Sequence, residues 1–114
     1  MIFIIDDDEV MAKCVERATK SDCLVFGNAI EAISAIADGK LPSLIFLDIL
    51  LDGPDGFTFL NELASYTDTE KIPVVIFSSI DFSEKDLSEY GVVGVLNKDV
   101  MTPQEIRGYV ERYA

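Results

Sequence analysis

The sequence predicts an α/β fold with a doubly wound, five-stranded parallel sheet in the order 2-1-3-4-5 and helices on both faces. Short, continuously apolar segments alternate along the chain with segments of helical periodicity, which is the pattern of βαβ units. The apolar segments lack polar alternation, as strands covered on both faces do. The length of 114 residues is that of one domain, so residues 1–114 are treated as a single unit. Right-handed crossovers in a sheet of this size favour the stated strand order.

Each apolar segment predicts one strand, and these strands cover residues 2–5, 23–26, 44–47, 74–77 and 92–96. Helical spacing between them predicts helices over 9–20, 28–39, 57–64 and 83–90, and a last helix after residue 102. Asn28 is a predicted N-cap, and the segment Thr102-Pro103-Gln104-Glu105 has the pattern of a capping box. The apolar face predicted for the first helix consists of Val10, Met11, Cys14, Val15 and Ala18.

The composition excludes several classes of function. The chain has 21 acidic and 9 basic residues, a net charge of −12, and no histidine. Such a surface repels nucleic acid phosphates and anionic lipids, so we expect no direct nucleic acid partner and no membrane partner. Without histidine, Ser-His-Asp triads and histidine metal sites are impossible. The absence of a long apolar run and of a signal peptide predicts a cytoplasmic domain, in which Cys14 and Cys23 are expected to be buried, reduced thiols.

Polar residues follow the strands that meet at the centre of the predicted sheet. In an open sheet of this order, ligands bind beyond the carboxyl ends of the strands, near the switch point between strands 1 and 3. The residues that follow strands 1, 3, 4 and 5 are, in that order, Asp6-Asp7, Asp48, Ser78-Ser79 and Asn97-Lys98. The predicted fold therefore gathers three carboxylates, hydroxyls and an ammonium at one edge.

This combination of groups indicates metal-assisted phosphoryl chemistry. Three neighbouring carboxylates repel one another unless a cation lies among them. Oxygen ligands without histidine or cysteine suit Mg²⁺ or Mn²⁺. Magnesium commonly uses only one or two carboxylates, which leaves Asp48 free to attack phosphorus and form an aspartyl phosphate. The Lys98 ammonium and the Ser78 hydroxyl would then bind the phosphoryl oxygens.

The four segments that carry these residues resemble a response-regulator receiver domain of two-component signalling. They are IFIIDDDEV, LIFLDILLDGPDGF, PVVIFSS and GVVGVLNKD, and they occur in the order and at the spacings of that family. The resemblance covers essentially the whole chain and implies the flavodoxin-like receiver architecture. It also implies a phosphoacceptor that takes its phosphoryl group from a histidine kinase or a histidine phosphotransferase.

By this resemblance, Asp48 is the phosphoacceptor. The implied ligands of Mg²⁺, or of Mn²⁺ in its place, are Asp6, Asp7, Asp48 and the backbone carbonyl of Leu50. The implied phosphoryl-binding and switch residues are Ser78, Ser79 and Lys98. The chain is then expected to catalyse only transfer to its own aspartate, not to be an enzyme in the ordinary sense. Its signal is expected to pass to a downstream protein through the predicted fourth helix, fifth strand and fifth helix.

Three positions depart from the family's pattern. Asp52 stands where a proline is usual in the loop after the acceptor, and Asp99 replaces the proline that usually follows the lysine. The aromatic residue usual at the switch position, three residues before the lysine, is Val95. Because valine is short and has one dominant rotamer, we expect activation without an aromatic rotamer switch in strand 5.

Two other functions are considered. The first is a small haloacid-dehalogenase-type phosphatase with Asp6 as nucleophile and Asp8 as acid, but this leaves Asp48 unexplained and lacks that family's final acid pair. The second is a receiver-like interaction module that is not phosphorylated. Such modules usually lose an acid or the lysine, and all of these residues are present here.

Overall fold

The computed structural model describes residues 1–49, 56–78 and 90–114. Its sheet has five parallel strands in the order β2-β1-β3-β4-β5, as the sequence predicts. The strands are β1 (Ile2–Ile5), β2 (Cys23–Phe26), β3 (Leu44–Asp48), β4 (Val74–Ser78) and β5 (Val92–Asn97). Every residue of β1, β3 and β4 is buried, which explains why these segments are continuously apolar.

The helices within the described residues are α1 (Glu9–Thr19), α2 (Ala29–Ala37), α3 (Gly56–Ala64) and a last helix (Pro103–Tyr113). Their caps explain where they begin. The Asp8 carboxylate accepts the Val10 N–H at 3.0 Å, and Asn28 Oδ1 accepts the Glu31 N–H at 2.9 Å. The capping box at the start of the last helix is confirmed. The helix predicted at 83–90 lies outside the described residues, apart from its final position.

Two apolar cores cover the two faces of the sheet. One contains side chains of α2 and α3, and the other contains side chains of α1 and the last helix. Adjacent residues of β1 alternate between them, since Phe3 and Ile5 lie in the first core and Ile2 and Ile4 in the second. This arrangement confirms a doubly wound sheet with helices on both faces.

The edge strand β5 has a close contact with the last helix. The register of β5 against β4 shifts between Val74 and Val75, which indicates a bulge. A side chain at Gly94 would overlap the ring of Tyr109 on the last helix. Glycine is therefore required there for the helix to approach the strand. Val95 is half-buried and packs against the core that contains α2 and α3.

The buried face of α1 differs from the predicted one. Its buried residues are Ala12, Val15, Ala18 and Thr19. Val10 is 74% exposed, and Cys14 is also exposed, so the expectation that both thiols are buried is wrong for Cys14. Cys14 and the half-buried Cys23 are both free, as predicted. None of the helices in the described ranges is long and apolar enough to cross a membrane.

Candidate functional site

The fold brings the predicted site residues to one edge of the sheet. Asp6 directly follows β1, whereas Asp48 and Ser78 are the last residues of β3 and β4. Lys98 follows β5, and its backbone N–H donates to the Ser78 carbonyl at 2.9 Å. Parallel pairing of β1 with β3, and of β3 with β4, places their carboxyl ends side by side. Sheet topology alone therefore accounts for the meeting of residues that are 20 or more positions apart in the chain.

Three carboxylates form an acidic cluster at this edge. One oxygen each from Asp6, Asp7 and Asp48 can be chosen so that all three lie within 4.8 Å of one another. Asp6 and Asp48 are buried, with 2% and 3% exposure, whereas Asp7 is exposed. Asp6 and Asp7 also line an open cleft of about 550 Å³ beside α1 and β2. The cluster is therefore accessible to a ligand from the side of Asp7.

Lys98 lies against the two buried carboxylates. Its Nζ donates to Asp48 Oδ2 at 2.9 Å and lies 3.6 Å from Asp6 Oδ2. The same ammonium lies 5.3 Å from the centroid of the Phe77 ring, within the range of a cation–π contact. With only 17% of its side chain exposed, Lys98 is held where it neutralises charge at the end of β3.

The environment of Asp6 disfavours the ionised form of its carboxyl. Its Oδ1 accepts the Asp8 N–H at 2.9 Å, but its buried Oδ2 has no hydrogen-bond donor among the described residues. The pKa of Asp6 is raised from 3.8 to about 7, mainly by burial and also by the nearby Asp48 carboxylate. The Asp8 N–H and the Lys98 charge act in the opposite direction and only partly offset this rise. Without another cation, this carboxyl is therefore protonated over much of the acidic range.

The Lys98 ammonium stays charged in this setting. Burial lowers the pKa of Lys98, but the hydrogen bond with Asp48 and the negative charges of Asp6 and Asp48 outweigh it. The net result is a pKa above the usual lysine value. The site thus contains a permanent positive charge within hydrogen-bond distance of Asp48.

The backbone after Lys98 forms a tight turn. Asn97 Oδ1 accepts the Asp99 N–H at 2.8 Å, and the Asn97 carbonyl accepts the Met101 N–H at 2.8 Å. No cis peptide bond occurs in the described ranges, so the bond between Lys98 and Asp99 is trans. The sequence pattern assigns no role to Asn97. However, an Asn whose side chain can accept the backbone N–H two residues later is a known turn signal.

Other predicted positions have different outcomes. Asp8 is the N-cap of α1 and not part of the acidic cluster, as its place after a strand suggests. Ser78 is 1% exposed at the end of β4, next to the backbone of Lys98. Leu50, Ser79 and Asp52 lie outside the described residues.

Comparisons with known proteins show which family the chain resembles. The family model of the response regulator receiver domain matches residues 2–111. Response regulator PleD from Caulobacter vibrioides is 30% identical over 82 residues, which cover 70% of this chain and 18% of PleD. A protein-glutamate methylesterase/protein-glutamine glutaminase from Geobacter metallireducens is 30% identical over 110 residues, 85% of this chain and 29% of that protein. The chain thus spans less than a third of these relatives.

Solved structures show the same fold. The receiver domain of NtrX from Brucella abortus superposes with a TM-score of 0.80 at 25% identity, over 98% of this chain and 96% of that one. The signal receiver domain of a signal transduction histidine kinase from Syntrophus aciditrophicus gives a TM-score of 0.78 at 24% identity, over 97% and 86%. The chain belongs to the response regulator receiver domain family. This assignment disfavours the phosphatase alternative, since it accounts for Asp48 as well as for Asp6.

Proposed function

We propose that the chain accepts a phosphoryl group on Asp48 from a phosphohistidine of a histidine kinase or histidine phosphotransferase. The observation that carries this proposal is the 2.9 Å contact between Lys98 Nζ and Asp48 Oδ2 beside two further carboxylates. A carboxylate paired with a half-buried ammonium at a sheet edge can react as a nucleophile while the growing charge on the phosphoryl oxygens is balanced. The match of residues 2–111 to the receiver family supports the same reaction.

The transfer exchanges one bond to phosphorus for another. An oxygen of Asp48 forms the new bond to phosphorus while the phosphorus–nitrogen bond of the donor breaks. The electron pair of that bond stays on the imidazole nitrogen. Lys98, which lies 2.9 Å from Asp48, would hold one phosphoryl oxygen, and the Ser78 hydroxyl would hold another. The charge spread over these oxygens would thereby be stabilised in the transition state.

The acidic cluster fits a hard divalent cation. Asp6, Asp7 and Asp48 offer only oxygen ligands, and Asp6 Oδ2 is buried without a hydrogen-bond donor in the described part of the chain. We propose that these three residues hold Mg²⁺, or Mn²⁺ in its place, with the Leu50 carbonyl as a further ligand. The bound ion would neutralise charge on the phosphoryl oxygens and on the cluster.

The wider role follows the family and is also part of the proposal. The domain is a signalling switch that acts on no substrate except its own Asp48. It passes its state to a downstream protein through the surface formed by the predicted fourth helix, β5 and the last helix. Its net charge of −12 argues against direct contact with nucleic acid or an anionic membrane, and a cytoplasmic location fits a histidine kinase as donor.

The proposal is tested by incubating the protein with acetyl phosphate and Mg²⁺ and measuring its intact mass. We expect one phosphoryl group on the wild type and none on Asp48→Asn, which keeps the size of the side chain. Asp7→Asn, in which the proposed ligand is weakened, should be labelled more slowly and need more Mg²⁺. A wild type that takes up no phosphoryl group from acetyl phosphate or phosphoramidate would support the non-phosphorylated module instead.

A further inference from the structure

We propose that Asn97 is a positioning residue for phosphoryl transfer, because its side chain fixes the backbone from which Lys98 reaches Asp48. The inference rests on the proposed function and names a residue that the receiver pattern does not include. Asn97 acts through the turn on either side of Lys98.

Hydrogen bonds hold the main chain on both sides of Lys98. Before it, the Lys98 N–H donates to the Ser78 carbonyl at 2.9 Å and ties the residue to the end of β4. After it, the Asp99 N–H donates to Asn97 Oδ1 at 2.8 Å. The Asn97 carbonyl also accepts the N–H groups of Val100 and Met101, at 3.2 and 2.8 Å. The main chain is therefore hydrogen-bonded on both sides of Lys98, and the Asn97 side chain supplies one of these bonds.

The position of this backbone matters because lysine is long. Its ammonium is connected to the main chain by a flexible four-carbon stem, so a loose backbone would leave many positions open to the charge. In the structure, Nζ lies 2.9 Å from Asp48 and 3.6 Å from Asp6. A displacement of about 1 Å would break the first contact, and misplacements of that size slow reactions strongly.

The turn depends on a departure of this chain from the family pattern. The residue after the lysine is Asp99 and not proline. Proline has no N–H and could not donate to Asn97. The bond from residue 99 to residue 97 is the local type that an Asn side chain forms with the main chain two residues on. We infer that the pair Asn97 and Asp99 here orients the lysine by means of this bond.

The test compares initial rates of phosphorylation by acetyl phosphate at saturating Mg²⁺. Asn97→Ala removes the acceptor oxygen and should slow the reaction about fivefold, the size expected for the net loss of one hydrogen bond. Asn97→Asp keeps an acceptor oxygen and should react within about twofold of the wild type. If Asn97→Ala does not fold, Asn97→Ser offers a shorter and weaker acceptor. Its rate should then be lower than that of the wild type and of Asn97→Asp, but by less than about fivefold.

A double mutant separates positioning from general damage. If Asn97 acts through the ammonium, Asn97→Ala should cause no further loss in a Lys98→Ala background. Asn28→Ala is the matched control, since it also removes an Asn side-chain acceptor of a backbone N–H, in the cap of α2. It should lower the melting temperature but leave the phosphorylation rate unchanged.

Two results would overturn the inference. One is a rate for Asn97→Ala equal to that of the wild type. The other is that Asn97→Ala lowers the phosphorylation rate by the same factor in the wild-type and Lys98→Ala backgrounds, which would mean that Asn97 does not act through that ammonium. If the wild type itself is not phosphorylated, the proposed function fails; if the wild type reacts and Asn97→Ala reacts equally well, only the role of Asn97 fails.

Discussion

The buried carboxyl of Asp6 makes a quantitative prediction about stability in the absence of divalent cations. Its pKa is about 7 in the folded state against 3.8 as the unperturbed value, mainly because of burial. The raised value means that folding favours the protonated form. Its stabilising effect is therefore complete below about pH 4 and is lost as the pH rises through about 7. The free energy of unfolding above that pH is therefore lower than its value below about pH 4 by on the order of 4 kcal/mol, at about 1.36 kcal/mol per pKa unit.

The substitution Asp6→Asn isolates this effect, because asparagine keeps the acceptor for the Asp8 N–H without the charge. Carboxylates that do not interact with Asp6 titrate alike in both proteins, so their contributions cancel in the difference. The free energy of unfolding of Asp6→Asn minus that of the wild type should rise by about 1.4 kcal/mol per pH unit between about pH 5 and pH 6, and about half as steeply at pH 7. Above about pH 8 the difference should be nearly constant.

Urea unfolding followed by circular dichroism measures this difference, since the chain has no tryptophan for fluorescence. The measurements are made in chelator and at constant ionic strength. A difference between the two proteins that does not change from about pH 5 to pH 8 would refute the reasoning, because it would mean that Asp6 is ionised alike in the folded and unfolded chains. With Mg²⁺ present, the wild type should become the more stable protein if the ion binds Asp6.

Three further predictions concern the site and its surroundings. Mg²⁺ should raise the melting temperature of the wild type, since it relieves repulsion within the acidic cluster, and thermal scans of Asp7→Ala should show little or no rise. Lys98→Ala should remove the ammonium that neutralises the buried Asp48 carboxylate and slow acetyl phosphate labelling by about tenfold or more, whereas Lys98→Arg should lose less. Gly94→Ala should destabilise the fold by roughly 1–3 kcal/mol in urea unfolding, because the new methyl group displaces the Tyr109 ring. Adding Tyr109→Leu should restore part of this loss. If no stability is recovered, the methyl group does not clash with the Tyr109 ring.

Much of the fold could be predicted because its signals are local or topological. Buried strands such as β3 and β4 are apolar without interruption, and Asn28 and Thr102 are caps whose side chains bond to nearby backbone groups. The strand order then follows from crossover handedness. The same order explains why Asp48 and Lys98 could be assigned to one site although they are 50 residues apart.

Other features could not be predicted, because they depend on how elements pack. The apolar residues of α1 include Val10 and Cys14, which are exposed. The face of the helix that packs against the sheet contains Ala12 and Thr19 instead. Small residues give a weak hydrophobic signal, although they allow a helix to approach a sheet. Likewise, the contact of Gly94 with the last helix could not be read from either segment alone.

The finer geometry of the site also lies beyond sequence patterns. Spacing places Lys98 at the correct edge but does not give the 2.9 Å contact with Asp48 or the lack of a donor for Asp6 Oδ2 among the described residues. Those features come from side-chain rotamers and burial. The role that we propose for Asn97 depends on a single hydrogen bond in a turn, which no sequence pattern specifies.

The central claim, that Asp48 carries the phosphoryl group, is tested most directly by locating the modified residue. The protein is labelled with acetyl phosphate and Mg²⁺, and borohydride then reduces the aspartyl phosphate to homoserine. Peptide mass spectrometry shows which aspartate has changed. We predict homoserine at position 48 alone, dependent on Mg²⁺ and absent from Asp48→Asn. Homoserine at Asp6 or Asp7, or undiminished labelling of Asp48→Asn, would contradict the account.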